Sequence, residues 1–251
     1  MQTRIKTTEE IENMRISGKM LAVVLLKLKD IIAAGVSTKE LADIAAQEVK
    51  ALGGKAAFLG YQGFPDVLCV SVNDEVVHGI PSARRKLKDG DLVSLDFGVK
   101  YKDMITDSAI SMIVGNDGDK TTKNLIDITK RSLNAGIDII RDGVHVGNIG
   151  AVVQGVLEKA GFGVVRDLVG HGVGHELHEQ PNIPNYGHRG NGPILKSGMT
   201  IAIEPMSTIG SYEVYTASDG WTVKTRDGSL AAHFEHTVLV TPTGAEILTT
   251  V

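Results

Sequence analysis

Residues 87–96 read LKDGDLVSLD, and residues 195–204 repeat the pattern as LKSGMTIAIE. The two segments are 108 residues apart, and the same offset relates Gly35-Val36 to Gly143-Val144. Each segment runs through apolar residues and ends on a carboxylate. An internal repeat of this kind predicts two related halves about a pseudo-twofold axis. We therefore expect both carboxylates to reach one central cleft, where they would form a natural metal site.

The elements predicted around these segments come twice in the order helix, helix, strands. Capping boxes at Thr7-x-x-Glu10 and Ser37-x-x-Glu40 predict two helix starts. The short turn at Lys102-Asp103 predicts a largely antiparallel sheet. No Gly, Pro or Ser linker separates the halves, so we expect one domain, 1–251, with repeats near 1–115 and 116–251. The remaining predictions are helices near 122–141 and 148–160, a loop at 116–118, and strands at 67–72, 91–101, 104–114, 163–168, 199–206, 221–224 and 231–240.

Composition excludes several classes of protein. The 251 residues are 42% hydrophobic and 22% charged, with a net charge of −4 and no long basic tract. Nucleic-acid binding is therefore not expected as the main task. The longest early apolar run, residues 21–26, is far shorter than the roughly 20 residues of a membrane span. One cysteine, Cys69, cannot form an internal disulfide. With no apolar signal core near the first residues, we expect a cytoplasmic protein.

Four acidic residues in apolar strand-like runs carry the chemical signal: Asp96, Asp107, Glu204 and Glu235. Any one of them could be a strand-end residue in water. Four such acidic residues are harder to explain as strand-end residues in water, because buried carboxylates are costly unless they are paired or bind a metal. The turn at Lys102-Asp103 would let Asp96 and Asp107 pair across the hairpin, and two carboxylates that face one another repel without a cation. The set predicts a metal site.

The segment 170–178, GHGVGHELH, contains three of the eight histidines. It is not a zinc-protease helix, because the HExxH motif needs its histidines four residues apart and here the spacing is three. A glycine-rich loop that presents one or two imidazoles is the better interpretation. His171 and His78, each taken alone, fit a structural role as well as a ligand role. The roles of His175 and His233 stay open, and no catalytic role is expected for His145, His188 and His236.

Other catalytic signatures are missing from the sequence: there is no G-x-S-x-G elbow, no Walker A loop and no G-x-G-x-x-G after a strand. Cys69 lies in an apolar strand and is better explained as a core residue than as a nucleophile. Carboxylates with one imidazole suit two divalent ions such as Mn, Fe(II) or Co better than a thiolate-type zinc site. Two such ions can hold a bridging hydroxide and polarise a carbonyl, which is hydrolase chemistry.

The sequence resembles the methionine aminopeptidase family along nearly its whole length. The resemblance implies the α+β pita-bread fold of creatinases and aminopeptidases, with two pseudo-symmetric halves, antiparallel sheet inside and helices outside. The matching stretches are Val77-His78-Gly79-Ile80-Pro81, Leu95-Asp96-Phe97-Gly98, Thr106-Asp107-Ser108-Ala109, Gly170-His171-Gly172-Val173-Gly174, Leu177-His178-Glu179, Ile203-Glu204-Pro205 and Phe234-Glu235-His236-Thr237.

The resemblance also implies a set of metal ligands. Asp96 would chelate one divalent ion, and His171 and Glu204 the other. Asp107 and Glu235 would bridge both. A water molecule between the ions would attack the first peptide bond, with Glu204 as the proton acceptor and later donor.

The substrate contacts follow from the same resemblance. His178 would hydrogen-bond the substrate carbonyl or the developing oxyanion. His78 would contact the scissile amide and assist proton transfer. Asn73 matches a position near a monovalent cation. The pocket for the methionine side chain would be formed by Tyr61, Phe64, Cys69, Leu177 and Trp221.

Three residues depart from the family pattern and affect pocket shape rather than metal binding. Phe58 stands where a smaller residue is usual, Leu177 where Phe is common, and His233 where Gln is common. The spacing of 26 residues from His178 to Glu204 is too short for the helical insertion of the type 2 enzymes. The chain is therefore identified as similar to the short bacterial type 1 form.

The resemblance implies removal of the initiator methionine from nascent polypeptides whose second residue is small. We expect transient association with ribosomes, a monomer, no nucleic-acid substrate and no membrane contact. Two alternatives stay open. A dipeptidase or Pro-specific peptidase shares the ligand set, although its extra N-terminal domain has no room here. A non-catalytic pita-bread protein that binds partners is expected to have lost metal ligands.

Overall fold

A computed structural model describes residues 4–115 and 118–251. Of the loop predicted at 116–118, residues 116 and 117 lie outside these ranges. Within them the helices are α1 (Thr8–Ile31), α2 (Thr38–Ala51), α3 (Lys120–Asp138) and α4 (Val146–Lys159). The strands are β1 (Lys55–Ala56), β2 (Cys69–Val72), β3 (Glu75–Val77), β4 (Leu92–Tyr101), β5 (Met104–Ile113), β6 (Gly163–Val164), β7 (Gly170–Gly172), β8 (Glu179–Ile183), β9 (Thr200–Ile203), β10 (Met206–Thr208), β11 (Val214–Thr216), β12 (Val223–Thr225), β13 (Ala231–His233), β14 (Glu235–Val240) and β15 (Ala245–Ile247).

Both predicted capping boxes begin helices. At α1, the Glu10 N–H donates to Thr7 Oγ1 over 3.3 Å, and the Thr7 N–H donates to Glu10 Oε2 over 2.7 Å. At α2, Ser37 and Glu40 form the same reciprocal pair. These bonds satisfy N–H groups that the first turn of a helix leaves without partners. Among the helices of the described ranges, none is both long and apolar enough to cross a membrane.

A nine-stranded sheet occupies the centre of the fold. Its main path runs β1-β4-β5-β14-β9-β7-β8, with β2 paired to β4 and β15 paired to β14. Two three-stranded sheets, β13-β10-β6 and β11-β12-β3, adjoin it. Every pairing between these strands is antiparallel, which confirms the expectation drawn from the short turns.

Two strands predicted as continuous are each broken in two. The stretch 199–206 is interrupted at Glu204-Pro205, and the stretch 231–240 at Phe234. β9 and β14 belong to the central sheet, whereas β10 and β13 belong to a smaller one. Pro205 has no N–H for the ladder, and its carbonyl accepts a hydrogen bond from the Phe234 N–H over 3.3 Å. The predictions were wrong because neighbouring strands change sheets together here. The strand predicted over 163–168 is also shorter, ending at Val164.

The helices cover the sheet in two groups, and each group has its own hydrophobic core. α1 and α2 bury Leu21 and Leu41 against Phe97 of β4. α3 and α4 bury Leu133 and Ile149 in a second core that includes Ile203 of β9, Val238 and other residues. The two cores lie on either side of the junction between β5 and β14.

The junction between β5 and β14 is held in part by side-chain hydroxyl groups. Its ladder covers two residue pairs, at Ala109 and Ser108 of β5. The Ser108 hydroxyl donates to the Glu235 carbonyl over 2.6 Å. The Thr237 hydroxyl accepts from the Asp107 N–H and donates to the Asp107 carbonyl, both over 2.8 Å. Hydroxyl groups therefore take the place of ladder hydrogen bonds at the point where the two cores meet.

Two helical glycines provide a test of this packing. A Cβ at Gly18 of α1 would lie 2.1 Å from the carbonyl oxygen of Leu248, whereas one at Gly155 of α4 would meet nothing within 4 Å. Gly18→Ala should lower the free energy of unfolding by about 1–3 kcal/mol, because the backbone must move to relieve the contact. Gly155→Ala should raise it by about 0.5–1 kcal/mol, through a lower entropy of the unfolded chain. Urea unfolding measures both, and equal effects of the two substitutions would contradict the close packing of α1.

Candidate active site

Adjacent strands bring the predicted carboxylates of the first half together with Glu235. Asp96 of β4 and Glu235 of β14 both lie opposite Ala109 of β5, one on each side. Asp107 lies two residues before Ala109 and so projects from the same face of the sheet. Asp96 and Asp107 were predicted to pair across the hairpin. The register instead makes them diagonal neighbours, because Asp107 is directly opposite Gly98.

The other two predicted ligands come from β7 and the end of β9. His171 lies opposite Ala202, and Glu204 follows the last residue of β9. His171 Nε2 is 3.3 Å from Glu204 Oε1. One ligand atom each from Asp107, His171 and Glu235 lie within 4.8 Å of one another. Five neighbouring strands thus place all five residues in the wall of one cavity.

Burial and mutual repulsion disfavour the ionised forms of the carboxylates in this cluster. Burial, and then the charge of Asp107, raises the pKa values of Asp96, Glu204 and Glu235 well above the ordinary range. Burial also raises the pKa of Asp107 to about 7. Asp96 Oδ1, Asp107 Oδ1 and Glu235 Oε1 are buried, and none has a hydrogen-bond partner among the described residues. Buried carboxylate oxygens without partners are what a bound cation would satisfy.

His171 is prepared to act as a ligand. Burial, and then the charge of His178, lowers the pKa of His171 to about 3, so its ring is neutral at pH 7. Its Nδ1 lies 3.0 Å from the Gly172 carbonyl. Nδ1 must therefore carry the proton and donate, which leaves the lone pair of Nε2 directed toward Glu204. The donor set of four carboxylates and one neutral imidazole fits hard or borderline divalent cations.

The cavity beside this cluster has a volume of about 590 Å³. Aromatic side chains form one wall, with the Phe64 and Trp221 ring centroids 5.2 Å apart and those of Phe58 and Phe64 6.5 Å apart. All of the residues predicted for the side-chain pocket line it: Tyr61, Phe64, Cys69, Leu177 and Trp221. They belong to a hydrophobic cluster shared with Met14 of α1. Burial, followed by the charge of Asp96, raises the pKa of the Cys69 thiol, in keeping with a core residue.

His78 and His178 both line this cavity. His78 follows β3 and has φ 59°, a left-handed conformation that is uncommon outside glycine. Burial, followed by the charge of His178, lowers the pKa of His78 to about 4. His178 Nδ1 is 2.9 Å from the Tyr61 hydroxyl, and its ring centroid is 4.3 Å from that of His171. Both rings can therefore act as neutral hydrogen-bonding groups at the cavity.

The two histidines whose roles the sequence leaves open lie in different parts of the structure. His175 lies outside the cavity, with Nε2 2.7 Å from Glu10 Oε1. His233 is buried with Nε2 3.9 Å from Glu204 Oε2, and neither of its ring nitrogens has a hydrogen-bond partner among the described residues. The Asn73 side chain forms two hydrogen bonds at the start of β4. Its Nδ2 donates to Asp91 Oδ1, and its Oδ1 accepts from the Leu92 N–H.

Several residues that line the cavity could not be predicted from the sequence. They come from loops and from β8, where no periodicity or motif marks them: Gln62, Asp167, Leu168, Val169, Gln180 and Asn182. The ion pair between Lys6 and Glu179, whose glutamate also lines the cavity, was not predicted either. Lys6 had no signal beyond its place before a capping box.

Comparison with known proteins gives a consistent result. The sequence profile of metallopeptidase family M24 matches residues 12–242. The chain is 48% identical over 246 residues to methionine aminopeptidase 1 of Bacillus subtilis, covering 98% of both chains. It superimposes on the crystal structure of a methionine aminopeptidase from Thermotoga maritima with a TM-score of 0.98 and 46% identity, over all of both chains. A prolidase from Pyrococcus furiosus shares the fold, with a TM-score of 0.78 and 23% identity over 98% of this chain and 65% of the prolidase.

Proposed function

The chain belongs to metallopeptidase family M24 and, within it, to the methionine aminopeptidases, and on this basis we propose that it removes the N-terminal methionine from polypeptides whose second residue is small. The observation that carries the proposal is the meeting of three buried carboxylates, a fourth that is 13% exposed (Glu204) and a neutral imidazole beside an apolar cavity. The fold has the pita-bread arrangement of this family, with antiparallel sheet inside and helices outside.

Two divalent ions would satisfy this donor set, because four ionised carboxylates balance the charge of two such cations. Asp96 would hold one ion, and His171 and Glu204 would hold the other. Asp107 and Glu235 would each contact both ions. Mn, Fe(II) and Co suit carboxylate and imidazole ligands, and availability selects among them. When bound, the ions supply Lewis acidity and lower the pKa of water. We also propose that a monovalent cation binds near Asn73.

The residues around the ions have distinct roles in the proposed reaction. Glu204 accepts a proton from the attacking water and later donates it to the leaving amine. His178 donates a hydrogen bond to the substrate carbonyl oxygen, with its ring oriented by Tyr61. His78 contacts the scissile amide and assists proton transfer.

The apolar wall supplies the preference for methionine. A thioether side chain packs well against aromatic rings and a buried thiol, and Phe64, Trp221, Leu177 and Cys69 provide these surfaces. Phe58 packs edge-on against Phe64 and narrows the cavity beside that wall. We expect a narrow preference at the first position and exclusion of bulky residues at the second.

Hydrolysis of two matched peptides tests the proposal. Protein stripped with chelator and reloaded with Mn²⁺, Fe²⁺, Co²⁺ or Zn²⁺ in turn should release free methionine from Met-Ala-Ser and not from Met-Leu-Ser. The peptides differ only in the size of the second side chain. Release from an Xaa-Pro peptide instead, or none from Met-Ala-Ser despite stoichiometric metal binding, would contradict the proposed substrate.

Several wider expectations belong to the same proposal. The two hydrophobic cores, one on each side of the β5–β14 junction, support a single domain made of two pseudo-symmetric halves. Nascent chains as substrates would place the protein in the cytoplasm, with transient contact to ribosomes. We propose that it acts as a monomer, because all five ligands come from one chain.

A further inference from the structure

A buried ion pair fastens the loop that carries His178. The loop, residues 173–178, connects β7 to β8 and presents Leu177 and His178 to the cavity. Glu179, the first residue of β8, also lines the cavity and pairs with Lys6, whose Nζ is 2.7 Å from Glu179 Oε2. The side chains of Lys6 and Glu179 are 0% and 9% exposed. A fully buried lysine requires a partner, and here the partner adjoins His178.

The Glu179 carboxylate also closes the loop on itself. Its Oε1 accepts the backbone N–H of His175 over 2.7 Å and that of Glu176 over 3.2 Å. Burial would raise the pKa of Glu179, but the hydrogen bond from Lys6 and the two backbone bonds lower it overall. The carboxylate is thus ionised and binds two adjacent N–H groups in the middle of the loop, while Lys6 supplies its counter-charge.

The segment before α1 fits closely against this loop. A Cβ at Gly174 would lie 2.4 Å from Lys6 Cε, so a larger residue here would displace the lysine side chain. The Lys6 N–H donates to the Gly198 carbonyl over 2.9 Å. A second contact runs from Glu10, the capping residue of α1, to His175 Nε2 over 2.7 Å. The loop is therefore held to the start of α1 at two points.

We propose that Lys6 and Glu179 are positioning residues for His178, and that the N-terminal segment is part of the active-site structure. This inference rests on the proposed function of His178. Because residues 178 and 179 are adjacent, holding Glu179 in place holds the backbone from which the His178 side chain projects. The Tyr61 hydroxyl holds the His178 ring from the other side. None of the five proposed metal ligands lies in the loop.

Lys6→Met tests the inference. We expect kcat for Met-Ala-Ser to fall about 10- to 100-fold, the effect of misplacing a catalytic group by about 1 Å, with little change in KM or in Mn²⁺ affinity. Amide hydrogen exchange at His175 and Glu176 should accelerate by about tenfold, because their acceptor is no longer held. Lys6→Arg should restore part of kcat. Lys196→Met, which removes a lysine 55% exposed and 3.7 Å from Asp142, is the matched control and should leave all readouts unchanged.

A neutral double variant keeps the test valid if Lys6→Met does not fold. Lys6→Met/Glu179→Gln leaves no unpaired buried charge, and the Gln carbonyl can still accept the loop N–H groups. It should recover part of the loss in kcat, as expected for directly coupled residues. Unchanged kcat and exchange in the Lys6 variants would overturn the inference, and so would a fall in Mn²⁺ affinity by the same factor as kcat.

Failure of the proposed function would be seen separately. If the wild-type protein released no methionine from Met-Ala-Ser with any metal, kcat could not report on the loop. The ¹⁵N shifts of the His178 ring and the exchange rates at His175 and Glu176 would then decide. Altered values in Lys6→Met would support the positioning role, and unaltered values would reject it.

Discussion

Glu204→Gln is expected to lower kcat for methionine release from Met-Ala-Ser by about 10²- to 10⁴-fold, the usual contribution of a general acid–base group. The amide cannot accept a proton, and it removes one anionic ligand next to His171. Its similar shape should preserve the fold. Steady-state kinetics at saturating Mn²⁺ measure the effect, and metal titration separates weaker binding from slower chemistry.

Glu176→Gln is the control for this substitution. Glu176 lines the same cavity but is exposed at its rim, so the same chemical change should leave kcat within about twofold, as surface substitutions usually do. Full activity of Glu204→Gln would show that the proton is accepted elsewhere. An equal loss in both variants would point to the overall charge of the cavity rather than to Glu204.

Loading the stripped protein with a divalent ion is expected to raise its Tm by about 5–10 °C for each site occupied at 100 times its Kd. Such occupancy adds about 2.7 kcal/mol, and each kcal/mol shifts the Tm of a chain of this size by about 2–4 °C. The stabilisation comes from neutralising the cluster of carboxylates, whose pKa values are raised by burial and mutual repulsion. Differential scanning fluorimetry with Mn²⁺ measures the shift.

The metal effect should increase with pH. Asp107 has a folded pKa of about 7, above the value of about 4 in an unfolded chain. The folded protein without metal therefore binds more protons between these values, and the contribution of this group to stability is lost as pH rises from about 4 to 7. Bound ions replace those protons. The Tm gain should accordingly be larger at pH 7.5 than at pH 5.5, and binding should release protons, which calorimetry in buffers of different ionisation enthalpy detects.

Two substitutions on one hairpin provide the control. Asp107→Asn should abolish most of the metal-dependent shift. Asp103→Asn makes the same change in the β4–β5 turn, at a side chain 92% exposed, and should leave the shift intact. A shift that does not depend on pH, or that persists in Asp107→Asn, would argue against these carboxylates as the metal site.

Much of the fold and site could be predicted because local patterns and the repeat agreed. Capping boxes marked two helices, and the repeat placed Asp96 and Glu204 on related strands. The breaks at Pro205 and Phe234 were missed because strand-like apolar residues continue on both sides of each break. Sheet membership depends on which strands pair, and periodicity within one stretch carries no information about its partners.

The site showed the same limits. Four acids in apolar strands could be identified from the sequence, but their diagonal arrangement depends on the register of the β4–β5 hairpin. The position of His175 could not be predicted, since its partner Glu10 is 165 residues away in the chain. Lys6 was missed because a lysine near a chain end is normally exposed. Only its enclosure by Gly174 and Glu179 makes it a buried residue.

The hydroxyl groups at the β5–β14 junction have a consequence for cooperativity. Asp96 and Asp107 come from strands on one side of that junction, and Glu235, Glu204 and His171 from strands on the other. Bound ions would thus add a strong link where the backbone ladder covers only two residue pairs. In the absence of ions we expect each core to open as a separate unit, since few ladder bonds transmit the stability of one to the other. Ion binding would merge the two units into one unfolding transition, so the proposed metal ligands would also set the cooperativity of the chain.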